Sequence, residues 1–325
     1  LLAERRCEAM VVITSGVGSR VLDAARRTAA ESGLRIAGVL GKPFTMDEVK
    51  AFLSRHSGPV ARPRVPVRDQ AEPTEEELRS GLDHGELVLA FQPKVRCEDG
   101  ALAGFEALVR WDHGGTIIYP DRFIPLAERT GLIDQLTEVV LRDAVRWLAT
   151  HFAEAHVAMS VNISARSLSA HELGDRIFDE CRANGLDPAR LILEVTESSA
   201  MHDPHRSLEL LTRLRVRGFH LSIDDFGTGF SSMVQLVRLP FSEVKVDKSF
   251  VMELARSQES RAVVRSIVDL AASLGLRSTA EGVEDAEALA YLREVGCTLA
   301  QGYYIARPMF SEAALAWARE WKGLA

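Results

Sequence analysis

Two adjacent aspartates, Asp224 and Asp225, end an apolar strand-like run in the stretch LSIDDFGTGF (residues 221–230). Gly227 and Gly229 follow, and glycine lets a backbone turn through conformations that other residues avoid. Aspartate is a common turn former and helix cap, so the pair has a structural interpretation. Carboxylate oxygens are also good ligands for a hard divalent cation, which gives a functional one. The rest of the chain must decide between them.

Polar and apolar residues alternate along several other runs, so that one strand face carries most of the charge. Successive residues of a strand point to opposite sides. The polar side comprises Ser160, Asn162, Glu194, Thr196, Ser222, Asp224, Glu243, Lys245, Asp247, Thr279, Glu281 and Gln301. In an earlier run, Glu106 and Arg110 share one face. A solvated face of an open antiparallel sheet would also alternate, but it would not collect acids at the strand ends where barrel enzymes keep their active sites.

These acids predict a metal site. The candidate carboxylates are Glu106, Glu194, Asp224, Asp225, Asp247 and Glu281. Together with the amide oxygen of Asn162 they are hard ligands, which suit Mg²⁺ or Mn²⁺ better than zinc. Lys245 is the nearest candidate counter-charge, and two divalent ions would cancel most of the remaining negative charge. Metal pairs about 3.5–4 Å apart are a recurrent arrangement for cleaving phosphodiesters.

The runs that carry these residues alternate with helical stretches. Strands are expected near residues 87–95, 103–111, 157–163, 191–197, 220–225, 243–247, 277–281 and 298–304. Helices separate most of them, for example at 132–150 and 261–274. Eight such runs in about 250 residues predict an α/β fold, a (β/α)8 TIM-like barrel. The first two runs are joined only by RCEDGAL (residues 96–102), so this early pair is expected to be antiparallel.

The chain before the barrel has two parts. Residues 58–73 contain four of the twelve prolines and almost no apolar periodicity, which is typical of a stiff, exposed linker. Residues 1–57 alternate strand, helix, strand and helix, which is half of a parallel α/β domain and too little for a comfortable core. We therefore expect a partial domain, a linker and a barrel at 74–325, with part of the first domain missing before Leu1. A small self-sufficient domain is the weaker alternative.

Composition limits the location and the partners of this 325-residue chain. Its net charge of −7 argues against a general nucleic-acid-binding surface. It has no apolar run of about 18 residues and does not open on a signal peptide, which predicts a cytoplasmic protein without a membrane segment. The cysteines, Cys7, Cys97, Cys181 and Cys297, form no CxxC pair and are expected to be reduced thiols.

From about Thr74 to its end, the chain resembles the EAL-domain family of cyclic di-GMP phosphodiesterases. The matching motifs are FQPKV (91–95), EALVRW (106–111), FIPLAE (123–128), VNIS (161–164), LEVTE (193–197), DDFGTGFSS (224–232), VKVDKSF (244–250), AEGVE (280–284) and QGYYIARP (301–308). One such motif would be weak, but the ordered set is specific. No ligand position departs from the pattern. The segment before YPDRFIP (119–125) is short, which would alter substrate contacts rather than the metal site.

The resemblance implies a role for each matched residue at the metal site. Glu106, Asn162, Glu194 and Asp224 would hold one ion. Asp224 would also bridge to a second ion, which Asp225, Asp247 and Glu281 would surround. Lys245, Asp247 and Glu281 would be catalytic, with Lys245 and Asp247 orienting or deprotonating the attacking water.

The resemblance also implies the substrate contacts and the reaction. Gln92, Arg110 and Gln301 would hold the substrate, and Glu197 would tether the loop at 224–232, which in this family lies near a dimer interface. Cyclic di-GMP would be opened to linear pGpG with Mg²⁺ or Mn²⁺, and Ca²⁺ is expected to inhibit because it prefers longer bonds and more ligands. The chain is accordingly expected to form a homodimer through its barrel.

Residues 1–57 resemble the second half of a response-regulator receiver domain. Thr14 would be its switch hydroxyl, and GKPF (41–44) places Lys42 before Pro43 as in receivers. The phosphoacceptor aspartate of such a domain would lie before Leu1. An intact receiver would have a histidine kinase as its partner.

Two other functions remain open. A catalytically silent EAL domain would bind cyclic di-GMP or a protein without cleavage, although such a domain is expected to lack ligands or the lysine, which this chain keeps. An unrelated metal-dependent barrel enzyme acting on sugar phosphates would need a glycine-rich phosphate cradle in its last loops. VGCTLAQGYY (residues 295–304) offers only a thin one.

Overall fold

The computed structural model describes residues 11–15, 36–41, 72–168, 173–227 and 233–324. The chain divides into two compact units, Leu1–Ala71 and Glu72–Ala325. In the first unit, strand β1 (Val11–Ser15) pairs in parallel with β2 (Ile36–Gly41). The two predicted strands are therefore confirmed, together with their parallel pairing.

Other predictions for the first unit lie largely outside the described residues. Thr14 belongs to β1. The two predicted helices, Lys42 and most of the predicted linker (58–71) are outside the described ranges. The receiver assignment therefore stays a prediction.

The second unit is a closed barrel of eight strands. They are β3 (Leu87–Arg96), β4 (Leu102–His113), β6 (Ala158–Asn162), β7 (Leu191–Thr196), β8 (His220–Phe226), β9 (Glu243–Val246), β10 (Arg277–Ala280) and β11 (Leu299–Ala300). Their spatial order is β3-β11-β10-β9-β8-β7-β6-β4, and β4 pairs again with β3 to close the ring. All eight predicted runs are confirmed as strands.

One barrel strand runs against the others. β3 pairs antiparallel with both β4 and β11, whereas the remaining neighbours pair in parallel. The predicted antiparallel early pair is confirmed. Two short strands that the sequence did not predict add to this side: β5 (Thr116–Ile118) pairs with the end of β4, and β12 (Met309–Phe310) pairs with β3.

Helices connect the strands and surround the barrel. The described α-helices are α1 (Glu75–Asp83), α2 (Pro120–Thr130), α3 (Ile133–His151), α4 (Ala165–Leu168), α5 (Leu173–Ala183), α6 (Glu197–His202), α7 (Pro204–Val216), α8 (Met233–Arg238), α9 (Lys248–Val251), α10 (Gln258–Ser273), α11 (Ala286–Glu294) and α12 (Ser311–Glu320). Side-chain caps start several of them: Thr74 forms a capping box with Glu77, and Asp203 accepts a hydrogen bond from Arg206 N. Among the described helices, none is long and apolar enough to cross a membrane.

The apolar core lies between the strands and the helices. Alternate strand residues such as Leu193, Leu221 and Val246 are fully buried. Aromatic rings extend this core where α3 covers β3: Phe91 stacks on Trp147 with ring centroids 3.9 Å apart, and Phe105 packs edge-on against the same indole. Burial of these rings stabilises the fold through both apolar area and ring geometry.

The barrel interior, in contrast, is polar. Its buried side chains include Lys94, Glu106, Ser160, Glu194, Ser222, Glu243, Lys245 and Thr279. The interior of a TIM barrel is ordinarily filled by bulky branched apolar residues. The predicted polar inward face is confirmed, and its charges must be balanced within the barrel.

Candidate active site

The predicted site residues gather at the rim formed by the carboxyl ends of the parallel strands. Pairing places Asn162 beside Glu194, and Thr196 beside Asp224, on neighbouring strands. A cavity of about 460 Å³ opens at this rim. Its lining includes Gln92, Glu106, Asp224, Glu281, Gln301 and Tyr303.

Lys245 lies at the centre of the acids. It is fully buried on β9, and its Nζ lies 2.5 Å from Glu194 Oε2 and 2.5 Å from Glu281 Oε1. Asp224 Oδ1 and Glu106 Oε1 follow at 3.3 Å and 3.8 Å. Four carboxylates, three of them on strands β4, β7 and β8 and one directly after β10, therefore converge on one ammonium group.

Two amide side chains donate hydrogen bonds to Glu106, and a third amide, Gln92, contacts one of them. Asn162 Nδ2 donates to Glu106 Oε1 at 2.8 Å, and Gln301 Nε2 donates to Glu106 Oε2 at 2.6 Å. Gln301 Nε2 also donates to Gln92 Oε1 at 3.0 Å, and Gln92 Nε2 donates to the Ala306 carbonyl at 3.1 Å. Within the described residues, the buried Gln301 Oε1 has no hydrogen-bond partner. It therefore remains available as an acceptor beside the cavity.

A β-bulge explains how two adjacent aspartates serve one site. β8 and β9 pair at Ile223 and Val244 and resume at Phe226 and Val246, so Asp224 and Asp225 together oppose Lys245. Asp225 has φ 56°, in the left-handed region that aspartate enters more readily than most residues. The extra residue breaks the strict alternation that would send the two side chains to opposite faces.

Asp225 and Asp247 form a second acidic pair beside the first group. Burial raises the pKa of the Asp225 carboxyl, the Asp247 carboxyl raises it further, and Lys245 and Lys248 oppose the shift. Asp247 directly follows β9 and caps α9, accepting hydrogen bonds from the Ser249 N–H at 2.9 Å and from the Ser249 hydroxyl. The cap fixes the Asp247 carboxylate at the rim.

Around Lys245, the pKa values of the buried acids are shifted in opposite directions. Burial alone would lower the pKa of Lys245, but the surrounding carboxylates of Glu106, Glu194, Glu281 and Asp224 raise it well above its ordinary value. Burial also opposes ionisation of Glu194, yet Lys245 and Lys94 hold its pKa at about 2. The pKa of Glu281 rises to about 8, because burial outweighs its contact with Lys245 and nearby acids add to the effect. Burial and the neighbouring acids therefore disfavour the ionised form of Glu281.

Two predicted residues lie further from this centre. Arg110 is half-buried on β4; it donates to the Val109 carbonyl at 2.8 Å, and its guanidinium lies 5.1 Å from the Tyr119 ring centroid. Glu197 is buried, and its Oε2 accepts a hydrogen bond from Gly227 N at 3.3 Å. This contact reaches the first residues of the loop that Glu197 is predicted to tether, whereas residues 228–232 lie outside the described part.

Sequence reasoning missed two lysines near the acids. Lys94 is fully buried and contacts Glu194, and the exposed Lys248 lines the cavity. Lys94 lies two residues after Gln92 and therefore on the same face of β3, so the alternating pattern that identified the acids could also have identified Lys94. Lys248 lies beyond the strand, where that pattern no longer applies.

A family model described as "EAL domain" matches residues 75–308. The chain belongs to the EAL-domain family.

Several relatives share this EAL domain. The chain is 44% identical over 245 residues to the bifunctional diguanylate cyclase/cyclic di-GMP phosphodiesterase MucR of Pseudomonas aeruginosa, covering 74% of this chain and 36% of MucR. It is 37% identical over 285 residues to the cyclic di-GMP phosphodiesterase RocR of the same organism, covering 85% of this chain and 71% of RocR. The chain thus spans about a third of the length of MucR. Its match to RocR covers more of this chain than the barrel unit does.

A solved structure has the same fold. The structure described as the PaMucR phosphodiesterase, c-di-GMP complex, is 42% identical and gives a TM-score of 0.70, covering 74% of this chain and 98% of that chain. Almost all of the solved chain is therefore aligned, and the aligned share of this chain is close to the length of the barrel unit. The TIM-like barrel of the EAL domain is therefore established by both pairing and comparison.

The donor set of this EAL domain fits a divalent cation. Its carboxylates already share one cation, the Lys245 ammonium, within 3.8 Å, and oxygen donors suit Mg²⁺ or Mn²⁺. In the described ranges, no group of three or more His, Cys, Asp or Glu side chains is arranged to hold a metal ion. These carboxylates contact Lys245 instead, so ion binding would require them to move away from that ammonium.

Proposed function

We propose that the chain is a metal-dependent phosphodiesterase that hydrolyses cyclic di-GMP to linear pGpG. The observation that carries this proposal is the convergence of Glu106, Glu194, Asp224 and Glu281 on the buried Lys245 beside an open cavity. Membership of the EAL family and the likeness to a cyclic di-GMP complex support the choice of substrate.

Two groups of side chains would hold two Mg²⁺ or Mn²⁺ ions. The first comprises Glu106, Asn162, Glu194 and Asp224. The second comprises Asp224, Asp225, Asp247 and Glu281. When bound, such ions supply Lewis acidity, lower the pKa of an attacking water and neutralise charge on the phosphate.

The protein's own groups would orient the reactants. Lys245 Nζ is a donor at the centre of the site, so in our proposal it positions the attacking water and balances the charge that develops there. Asp247, held by its cap contacts, would accept a proton from that water. Attack on phosphorus by the oxygen of this water would break one P–O3′ bond. The 3′ oxygen would take up a proton and leave as a hydroxyl, which gives the linear dinucleotide pGpG.

Substrate positioning would fall to residues around the cavity. Gln92 and Gln301 lie in its lining, and the unpaired Gln301 Oε1 is an acceptor for a substrate or water hydrogen. Arg110 would move from its contact over Tyr119 to bind phosphate, for which its fork of donors is suited.

The cellular context is also proposed rather than observed. We infer a cytoplasmic signalling protein that forms a homodimer through its barrel, with Glu197 supporting the loop near that interface. Residues 1–57, including Thr14 and Lys42, would belong to a receiver domain, for which a histidine kinase would be the partner.

Incubation with cyclic di-GMP and chromatographic detection of pGpG test the proposed activity. We expect turnover with Mg²⁺ or Mn²⁺ and none with Ca²⁺ or excess chelator. Lys245→Ala should remove turnover while leaving cyclic di-GMP binding in Ca²⁺ intact. Binding without turnover by the unaltered protein would favour a silent EAL domain, and neither binding nor turnover would refute the substrate.

A further inference from the structure

Lys94 is a second buried lysine inside the barrel, and it lies beneath the acids rather than at the rim. It follows Gln92 by two residues on β3 and is 1% exposed. Because β3 runs antiparallel to the other barrel strands, moving along it from Gln92 to Lys94 leads away from the rim and towards the opposite end of the barrel. Lys94 therefore approaches the site from below.

The contacts of Lys94 connect the two ends of the barrel interior. Its Nζ lies 3.4 Å from Glu194 Oε1 and 3.4 Å from Glu243 Oε1, and it donates to the Ser160 hydroxyl. Glu243 Oε2 in turn lies 3.3 Å from Arg277 Nη2, an ion-pair contact without hydrogen-bond geometry. Arg277, Glu243, Lys94, Glu194 and Lys245 thus form a chain of alternating charge.

Glu194 is the member of this chain that belongs to the proposed metal site, and its two oxygens have different partners. Oε1 contacts Lys94, whereas Oε2 contacts Lys245 at 2.5 Å. The carboxylate is fully buried. One oxygen is therefore held on the side of Lys94, and the other is directed to Lys245 at the centre of the site.

Filling the barrel interior does not by itself explain why these buried side chains are charged. Replacement of buried ion pairs by apolar residues of similar volume is often neutral or stabilising, and barrel interiors are ordinarily filled with branched apolar side chains. The charged side chains of Lys94, Glu194 and Glu243 are fully buried, and burying charged groups is costly. Their common consequence is a fixed orientation for Glu194.

We propose that Lys94 is a positioning residue, which anchors Glu194 Oε1 so that Oε2 stays directed at the metal-binding position. The inference rests on the proposed metal-dependent function and adds to it a residue outside the ligand set. Partners that orient a metal-ligating carboxylate commonly contribute about ten- to hundredfold in metal affinity or activity. Lys94 should contribute through metal affinity, since it does not line the cavity described above.

A charge-matched comparison tests this role. The double variant Lys94→Met/Glu243→Gln removes one positive and one negative charge, so the net interior charge is unchanged. Glu243→Gln alone is the control, because it keeps the contact between Lys94 and Glu194. Mn²⁺ affinity is measured by electron paramagnetic resonance titration, circular dichroism checks folding, and KM and kcat for cyclic di-GMP are measured at saturating Mn²⁺.

We expect the Mn²⁺ Kd of the double variant to rise by about ten- to hundredfold, with KM at saturating Mn²⁺ unchanged and the control close to the unaltered protein. Equal Mn²⁺ affinity in the double variant and the control would overturn the role of Lys94 while leaving the proposed function intact. Absence of Mn²⁺ binding by the unaltered protein would overturn both.

A second variant keeps the test decisive if the double variant does not fold. Lys94→Gln retains a hydrogen-bond donor on a shorter side chain and removes the charge. Its Mn²⁺ Kd should lie between those of the control and the expected double variant. An unchanged Kd would again overturn the positioning role.

Discussion

Replacement of Lys245 by methionine should destabilise the metal-free protein and increase the stabilisation that it gains from Mn²⁺. Lys245 Nζ is the central cation among four carboxylates within 3.8 Å. Methionine fills a similar volume but has no charge. The variant must therefore bury uncompensated negative charge or take up a proton, and both are costly.

Two estimates of that cost agree. Keeping one glutamate protonated at pH 7 against its ordinary pKa of 4.5 costs about 3 kcal/mol, at roughly 1.4 kcal/mol per pH unit. Removing one partner of a buried ion pair commonly costs about 3–5 kcal/mol. At roughly 2–4 °C per kcal/mol, the Tm in chelator should fall by about 6–12 °C.

Mn²⁺ should reverse much of this loss. The variant lacks the ammonium that competes for the carboxylates, so it should bind Mn²⁺ more tightly, and ligand-induced stabilisation grows with [Mn²⁺]/Kd. Thermal unfolding is measured in chelator and in Mn²⁺, with the exposed Lys322→Met as the control. If Lys245→Met melted like the control in chelator, or gained no more from Mn²⁺ than the unaltered protein, the assignment of Lys245 as the central counter-charge would be refuted.

The remaining predictions concern one ligand, one pH dependence and one deletion. Glu106→Ala should abolish turnover by weakening Mn²⁺ binding, and titration showing unchanged Mn²⁺ affinity would contradict its ligand role. The pKa of Glu281 is raised from 4.5 to about 8, so its contribution to the stability of the metal-free protein is complete below about pH 4.5 and is lost as pH rises towards 8. Denaturant titrations in chelator should show this loss of stability. The Glu281→Gln variant should not show this pH dependence. Deletion of residues 1–73 should leave hydrolysis largely intact, since the family match begins at residue 75; loss of turnover in a folded truncated protein would contradict this.

The strands and the polar face of the barrel were predictable from local pattern. Runs such as 191–197 and 243–247 alternate with period two, and strand geometry forces that period onto opposite faces whatever the surroundings. Glu194, Lys245 and Thr279 were therefore each predictable as part of the polar face of their own strand. Helix caps such as Thr74 and Asp203 act over a few residues and are equally local. The short strands β5 and β12 were missed because a run of two or three residues is too short to show an alternating pattern.

The assembled site depended on contacts that no local pattern contains. The bulge at Asp225 places both aspartates opposite Lys245, and this follows from one positive φ and the register with β9. Lys94 meets Glu243 across 149 positions of sequence only because the barrel closes. Composition and alternation thus determined that acids and a lysine line one face of these strands. Closure of the ring decided which charges touch, because the distances that set ion pairing and pKa values are distances between strands, which the order of residues along each strand does not contain.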